Sequence, residues 1–436
     1  MSRLFGTDGV RGPANGAVLT PEFSLALARS AARELGGRTV VIGRDTRPSG
    51  AMLEAAAAAG FASAGADVVL LGVVPTPTVA HVCATGTADL GLMISASHNA
   101  MPDNGLKLFG PGGHKLPDEV EDAVEAGLGA AGERPQGSDV GRIAGASHEL
   151  LEGYLAALLA TLEAPLDGLT VVVDCAQGAA SAVAPELYRL AGATVVAIYA
   201  DGDGDRINDG CGATHLGPLQ AAVVEHGADL GIAHDGDADR CLAVDAGGRV
   251  VDGDQLLAVL ALGLRSRDLL VTGTVVATVM SNLAFHQAMA AAGISVVSTA
   301  VGDRYVLEAM RGGRHVLGGE QSGHVVFGDH ATTGDGLLTA LSLMGRMVAT
   351  AAPLAELAAV VVPLPQVLLN VRAERSRASA PEVLAAVAAE QAALAGAGRV
   401  LLRPSGTEAV VRVMVEAPTS DQAHEVAARL AAVVGA

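Results

Sequence analysis

The run Asp235-Gly-Asp-Ala-Asp-Arg240 carries the densest chemistry in the sequence. Carboxylates at alternate positions of a short loop can converge on one hard cation, and Mg²⁺ takes oxygen ligands of this kind. A calcium EF-hand opens in a similar way but needs Gly at its sixth position and Glu at its twelfth. Arg240 and Ala246 stand there instead, which removes that reading. A solvated acidic turn is the plain alternative, but apolar segments at Leu230–Ala233 and Cys241–Val244 flank the loop and would hold it rigidly. Asp201-Gly-Asp-Gly-Asp-Arg206 has the same pattern without a second strand behind it, so Asp235, Asp237 and Asp239 are the expected metal ligands.

Ser95-Ala-Ser-His-Asn99, followed by Asp103-Asn-Gly-Leu-Lys107, offers a hydroxyl in a polar loop. A serine so placed suits covalent catalysis, although most loop serines only cap or turn the chain. A serine hydrolase with His98 as base is a second option. It is disfavoured because neighbouring side chains generally diverge and no G-x-S-x-G elbow is present.

Several cations sit among Gly, Ser and Thr: Arg11 in Gly6-Thr-Asp-Gly-Val-Arg-Gly, Arg44 and Arg47 in Gly43-Arg-Asp-Thr-Arg-Pro-Ser-Gly, Arg304 in Val301-Gly-Asp-Arg, and Arg403 and Arg412 around Pro404-Ser405-Gly406-Thr407. Small residues let backbone N–H groups approach a phosphate, and hydroxyls and guanidinium groups complete such a cage. Gly318-Gly-Glu320-Gln-Ser322-Gly-His324 is a polar loop suited to sugar hydroxyls, with a buried turn as its plain alternative.

The elements that must position these residues follow from internal repetition. Three segments read as strand, turn, Ala-rich helix and second strand, starting near Thr39, Leu169 and Leu269, which predicts βαβ units with parallel strands. Ala88-Asp-Leu-Gly-Leu and Ala228-Asp-Leu-Gly-Ile each lead through a short strand into a polar loop, the serine loop in one case and the aspartate loop in the other. Loops at the carboxyl ends of parallel strands are where such sheets bind ligands. The expected fold is α/β, three related domains with mixed, mainly parallel sheets and a smaller C-terminal α+β domain. Boundaries are placed at 1–150, 151–252, 253–365 and 366–436, with a helix carrying Leu151, Tyr154, Leu155, Leu158 and Leu162 opening the second.

Composition bounds the function. Of 436 residues half are apolar and 2% aromatic, so the core is built from Val, Leu, Ile and Ala between sheet and helix rather than from stacked rings. With 28 basic and 47 acidic residues the net charge is −19, which argues against nucleic acid and anionic membranes as partners. Mean hydropathy is +0.41, yet long uncharged stretches such as 68–88 are broken by Pro75 and Pro77 and rich in turn residues. The start of the chain carries no apolar signal region, and four scattered cysteines form no CxxC pair; both point to reduced thiols in a cytoplasmic protein.

Taken in order, these motifs resemble those of the α-D-phosphohexomutase family along essentially the whole chain. The resemblance implies that Ser97 carries a phosphoryl group and that Mg²⁺ sits on Asp235, Asp237, Asp239 and the phosphoserine. It implies that Arg11, His98, Lys107 and Arg240 surround the transferring group, and that Glu320 and Ser322, with Arg304 and His324 nearby, meet the sugar. Arg403, Ser405, Gly406, Thr407 and Arg412 would grip the non-reacting phosphate. A hexosamine or hexose 1,6-bisphosphate is the implied intermediate and activator, and a kinase or autophosphorylation would prime Ser97; a homodimer is compatible with it. Phe5-Gly-Thr-Asp-Gly-Val-Arg-Gly, Gln321 and Val301-Gly-Asp-Arg-Tyr-Val tip the resemblance toward the bacterial branch acting on glucosamine phosphates, with glucose or mannose phosphates as the nearest alternative. A metal-dependent sugar phosphatase and a silent sugar-phosphate binder are the rivals from other classes. The family's serine loop commonly continues with Pro after His-Asn, whereas here Ala100 and Met101 precede Pro102.

Overall fold

A computed structural model describes residues 3–130, 132, 134–145, 148–404 and 409–436. They divide into two compact units, Met1–Met280 with Ile294–Val360, and Ser281–Gly293 with Val361–Ala436.

The larger unit holds three sheets. The first comprises β1 (Val10–Pro13), β2 (Thr39–Arg44), β3 (Asp67–Val73), β4 (Leu90–Ile94), β5 (Asp103–Phe109) and β6 (Ile143–Gly145) in the order β1-β5-β4-β2-β3-β6. The second comprises β7 (Thr170–Asp174), β8 (Thr194–Ile198), β9 (Leu230–Ala233), β10 (Leu242–Asp245) and β11 (Val250–Val251) in the order β11-β10-β9-β7-β8. The third comprises β12 (Thr274–Thr278), β13 (Ser295–Thr299), β14 (Leu317–Gly319) and β15 (Val325–Phe327) in the order β13-β12-β14-β15. Central strands such as Val171–Val173 and Val40–Ile42 are continuous apolar runs at 0–1% exposure, as helices on both faces of a sheet require. Each such side chain contributes roughly 1.5–3 kcal/mol by leaving water.

One plan underlies all three sheets. A strand pairs in parallel with its two successors (β2 with β3 and β4, β7 with β8 and β9, β12 with β13 and β14), and the last of these turns back into an antiparallel partner, β5, β10 or β15. The turn-back loops are the serine loop, the aspartate loop and residues 320–324. The repeat read from sequence in the first two thus has a third copy, masked because its strand is only Leu317–Gly319 and lacks the Ala-Asp-Leu-Gly signature.

Two expectations are corrected. The strand expected from Leu269 begins at Thr274, because Leu269 and Val271 are 46% and 72% exposed while Val275–Ala277 are fully buried. The helix expected to run through Leu162 ends at Leu159, and only Tyr154 and Leu158 of its apolar set are buried.

The smaller unit carries a three-stranded antiparallel sheet, β16 (Gln366–Arg372), β17 (Arg399–Pro404) and β18 (Val410–Glu416), in the order β16-β18-β17. Helices Pro381–Ala393 and Ser420–Gly435 accompany it, as expected for a small α+β domain. No helix among the described residues is long and apolar enough to cross a membrane. All four cysteines are free and buried, and burial pushes the Cys83 and Cys211 thiols up to about 12, so they are protonated packing groups.

Candidate active site

The three turn-back loops meet in the larger unit, and the first two bring Ser97 to the aspartates. Ser97 Oγ donates to Asp235 Oδ2 at 2.6 Å across 138 residues of sequence, and Ser97 is 1% exposed. Its φ of 54° is the left-handed region, which costs an ordinary residue about 1–2 kcal/mol. That backbone also brings His98 Nδ1 to 3.2 Å from Ser97 Oγ, so the expectation that the two side chains diverge fails. Burial, then Arg240 and Arg11, push His98 down to about 4, leaving it a neutral imidazole at neutral pH.

Asp235, Asp237 and Asp239 are 0%, 0% and 3% exposed, and their ligand atoms all lie within 4.8 Å of one another. Asp237 Oδ1 and Asp239 Oδ1 are buried with no hydrogen-bond partner among the described residues. Burial, with Asp239 and Asp237 adding repulsion, pushes Asp235 up to about 7. Burial acts on Asp237 in the same sense, but the Lys107 ammonium and the Thr76 hydroxyl outweigh it and hold the carboxyl well below its usual range. Buried oxygens without donors, in a trio whose charges repel, are a donor set that fits a hard divalent cation. The rival run fits poorly: Asp201, Asp203 and Asp205 are all exposed.

Cations complete the ring. Lys107 Nζ lies 2.7 Å from Asp237 Oδ2, 3.5 Å from Asp239 Oδ2 and 2.9 Å from Asp8 Oδ2. Burial alone would depress this lysine, but Asp237, Asp8 and Asp239 outweigh it and keep it charged. Arg240 Nε stands 3.8 Å from Asp235 Oδ2 without a hydrogen bond among the described residues, and Arg11 pairs with Asp8. Arg11 and Arg240 border a cleft of about 380 Å³ whose walls also include Thr7, Asp8, His98, Asp239, Gly302, Glu320 and His324.

The third loop joins this wall directly. Arg240 and His324 form an antiparallel bridge, and Cys241 N donates to the Gly323 carbonyl at 2.9 Å. Glu320 Oε1 accepts from Gly302 N at 3.1 Å, and His324 is 3% exposed with neither ring nitrogen hydrogen-bonded among the described residues. Ser322 is half-buried on the same loop.

Other expected residues go elsewhere. Arg304 is buried and donates to Asp118 and, at 2.6 Å, to Glu121, so it is not brought to the cleft wall. The Gly43–Gly50 loop is no phosphate cage: Arg44 pairs with Glu54 at 3.3 Å, and Arg47 is enclosed by protein oxygens. In the smaller unit Arg403 and Arg412 face each other on β17 and β18. Burial, then Arg412, lowers Arg403 from its ordinary value, an arrangement in want of an anion. Ser405, Gly406 and Thr407 lie outside the described residues.

Sequence reading passed over Asp8, Lys115 and Asp303, which form a largely half-buried chain of ion pairs beside the cleft, Lys115 bridging the two carboxylates. Asp8 was visible inside the Gly-Thr-Asp-Gly motif, whereas Lys115 carried no local signal.

Comparison with known proteins places the chain in a family. The four phosphoglucomutase/phosphomannomutase domains match in chain order: alpha/beta/alpha domain I over residues 2–134, domain II over 152–248, domain III over 252–363 and the C-terminal domain over 368–433. A phosphoglucosamine mutase of Frankia alni is 62% identical over 451 residues, covering 100% of this chain and 99% of its own. The crystal structure of a phosphoglucomutase/phosphomannomutase family protein from Burkholderia thailandensis aligns with a TM-score of 0.82 at 24% identity, covering 99% of this chain and 97% of that one. The Aspergillus fumigatus N-acetylphosphoglucosamine mutase, solved in complex with GlcNAc-6P and magnesium, aligns with a TM-score of 0.71 at 21% identity over 99% of this chain and 95% of its own. With all four domains matched and full-length relatives near 60% identity, the chain belongs to the phosphoglucomutase/phosphomannomutase family.

Proposed function

We propose that this protein interconverts glucosamine 6-phosphate and glucosamine 1-phosphate through a phosphoserine at Ser97 and a 1,6-bisphosphate intermediate. One observation carries the mechanism: a nearly buried serine hydroxyl lies 2.6 Å from Asp235, one of three clustered carboxylates that Arg240 and Lys107 approach. The choice of glucosamine rests on relatives such as that of Frankia alni, which bear the name phosphoglucosamine mutase.

In the first half-reaction a sugar hydroxyl oxygen attacks the phosphorus on Ser97. The bond from phosphorus to Oγ breaks, and the hydroxyl proton passes to a base of the cleft. Oγ leaves with a proton. After the bisphosphate turns over, Oγ gives that proton to the base and attacks the phosphorus at the other end. The bond from that phosphorus to the sugar oxygen breaks, and the sugar oxygen takes a proton as Ser97 is phosphorylated again. Arg11, Lys107 and Arg240 stabilise the charge that spreads over the equatorial oxygens. Glu320, Ser322 and His324 present polar atoms to the sugar, and Arg403 and Arg412 are assigned to the phosphate that does not react. Asp235, Asp237 and Asp239 would hold Mg²⁺ with the phosphoserine, and the metal supplies positive charge against repulsion of about 4 kcal/mol per like-charge pair at ~4 Å and an effective dielectric near 20.

Phosphorus NMR of the protein with Mg²⁺, glucosamine 6-phosphate and a trace of glucose 1,6-bisphosphate tests the reading. A growing 1-phosphate signal without free phosphate is expected, and Ser97→Ala should remove it. Conversion of only glucose or mannose 6-phosphate would overturn the substrate, and steady release of inorganic phosphate would overturn the mutase in favour of a phosphatase.

A further inference from the structure

The arginine of Gly43-Arg-Asp-Thr-Arg47 has no part in the chemistry above, yet it is 1% exposed and among the largest fully buried side chains. All five of its N–H donors are engaged. Nε donates to Asp45 Oδ2 at 2.9 Å, Nη1 to the carbonyls of Ala100 (2.6 Å) and Asp103 (2.8 Å), and Nη2 to those of Ser97 (3.0 Å) and Asn99 (2.8 Å). No donor is left for a phosphate. From the second sheet's side, Asn208 Nδ2 donates to the same two carbonyls, Ser97 (2.9 Å) and Asn99 (3.1 Å).

We propose that Arg47 and Asn208 are positioning residues that clamp the serine loop so that the phosphoryl group on Ser97 passes to a sugar and not to water; the inference rests on the mutase reading above. Four carbonyls of one loop turn inward toward a single planar guanidinium, which a lysine with three donors could not satisfy. The clamp reaches the nucleophile's own amide as well. Asp45 Oδ2 accepts from Ser95 Oγ at 2.7 Å, and that oxygen accepts from Ser97 N at 2.8 Å. The amide and the carbonyl of Ser97 itself are thereby fixed on either side of its side chain, which holds φ at 54° and Oγ toward Asp235. Behind the loop, a Cβ on Gly236 would lie 2.6 Å from the Ser97 carbonyl oxygen, so the aspartate loop can close against it only with glycine there.

Released from the clamp, Ser97 relaxes toward ordinary backbone angles and its phosphoryl group swings out of the cation ring. Water then competes with the sugar: a water oxygen attacks phosphorus, the bond to Oγ breaks, Oγ takes a proton from that water, and inorganic phosphate leaves.

Arg47→Lys and Asn208→Ala test this, each measured in two ways on the full chain. Amide hydrogen exchange of the unphosphorylated protein should accelerate in the segment 95–103 and not elsewhere. With glucosamine 6-phosphate, Mg²⁺ and glucose 1,6-bisphosphate, kcat should fall roughly 10²-fold, as expected for a nucleophile displaced by about 1 Å. KM should change less than about two-fold, because neither residue touches substrate, and phosphate released per sugar converted should rise at least ~10-fold. This ratio does not depend on the fraction of folded enzyme, so loss of stability alone leaves it unchanged. An unchanged ratio in both variants, or unchanged exchange at 95–103, overturns the clamp. Asn208→Ala removes no buried charge and decides the matter if Arg47→Lys does not fold. A wild-type protein inert toward every hexose phosphate would sink the mutase reading instead, and the exchange measurement would still decide whether these residues hold the loop.

Discussion

A single buried lysine reconciles the acidic residues of the site with one another. Lys107 is 2% exposed, and Asp237, Asp239 and Asp8 all lie within 3.5 Å of its ammonium. Taking away one partner of a buried ion pair typically costs ~3–5 kcal/mol, because it strands the other charge. Lys107→Met should therefore lower both the melting temperature and the turnover, the latter by roughly 10²-fold or more as a charge-stabilising donor is lost. Thermal melting and a coupled assay for glucosamine 1-phosphate read the two effects, and near-normal values of both would show that the ammonium is dispensable. Chelation of divalent metal should stop the intact enzyme, and added Mg²⁺ should restore it. At this scale the sequence was partly legible. The three aspartates stand in one contiguous motif whose chemistry needs little context, whereas Ser97 taken alone reads equally well as a capping serine and was singled out by the resemblance. Arg304 was misread, because its partners Asp118 and Glu121 lie 186 and 183 residues away and turn a cleft candidate into a structural ion pair. Arg47 was misread for the same reason, since its meaning depends on a loop 50 residues distant.

Among the elements, the helix Gly336–Thr350 shows how the third sheet's unit secures the aspartate loop. Its first N–H, from Gly336, donates to the Ala238 carbonyl at 3.1 Å, and its N-cap Asp335 accepts from Leu338 N and from the Tyr154 hydroxyl at 2.9 and 2.8 Å. Burial pushes the Asp335 carboxyl up to about 6 despite those donors. The sign follows from linkage. Between about pH 4 and 6 the folded chain keeps a proton that the unfolded chain releases, so this group makes stability fall as pH rises through that window, by up to about 3 kcal/mol. Asp335→Asn preserves the cap, since Asn and Asp are comparable there, and cannot ionise. Denaturant melts should show the variant gaining on the wild type from pH 4 to 6; a constant difference across that range would mean the carboxyl titrates normally. Element order was largely readable from the repeated strand, Ala-rich helix and strand segments. The third turn-back loop was not, because a three-residue strand falls below the length at which pattern is informative.

At the scale of the whole molecule, the order of segments along the chain differs from their order in space. The C-terminal unit takes in Ser281–Gly293, a segment from the middle of the third βαβ unit, although the sequence divides cleanly near Pro363. The reason is electrostatic and local. Glu416 is fully buried, pairs with Arg399 at 2.8 Å, and accepts from Leu283 N at 2.9 Å at the start of the helix Leu283–Ala291, where a carboxylate is favoured by the helix dipole. Arg399 also donates to the Ser281 carbonyl at 2.8 Å, and Asn282 exchanges two hydrogen bonds with Leu364, each 3.1 Å. A chain ended at Pro363 would leave the first turn of that helix without its acceptor and Asn282 without its partner. Several lost hydrogen bonds at ~1 kcal/mol each, and more for the charged one, would lower its melting temperature by several degrees. The remaining piece, 366–436, is about 70 residues with a thin core and a buried carboxylate deprived of its helix N-terminus, so it should be largely unfolded alone. Calorimetry of the two pieces and of Glu416→Gln in the full chain tests this. The truncated chain and the variant should both melt below the intact protein. A truncated chain melting cooperatively at the full-length temperature would show that the C-terminal unit ends where the sequence, and not the fold, divides it.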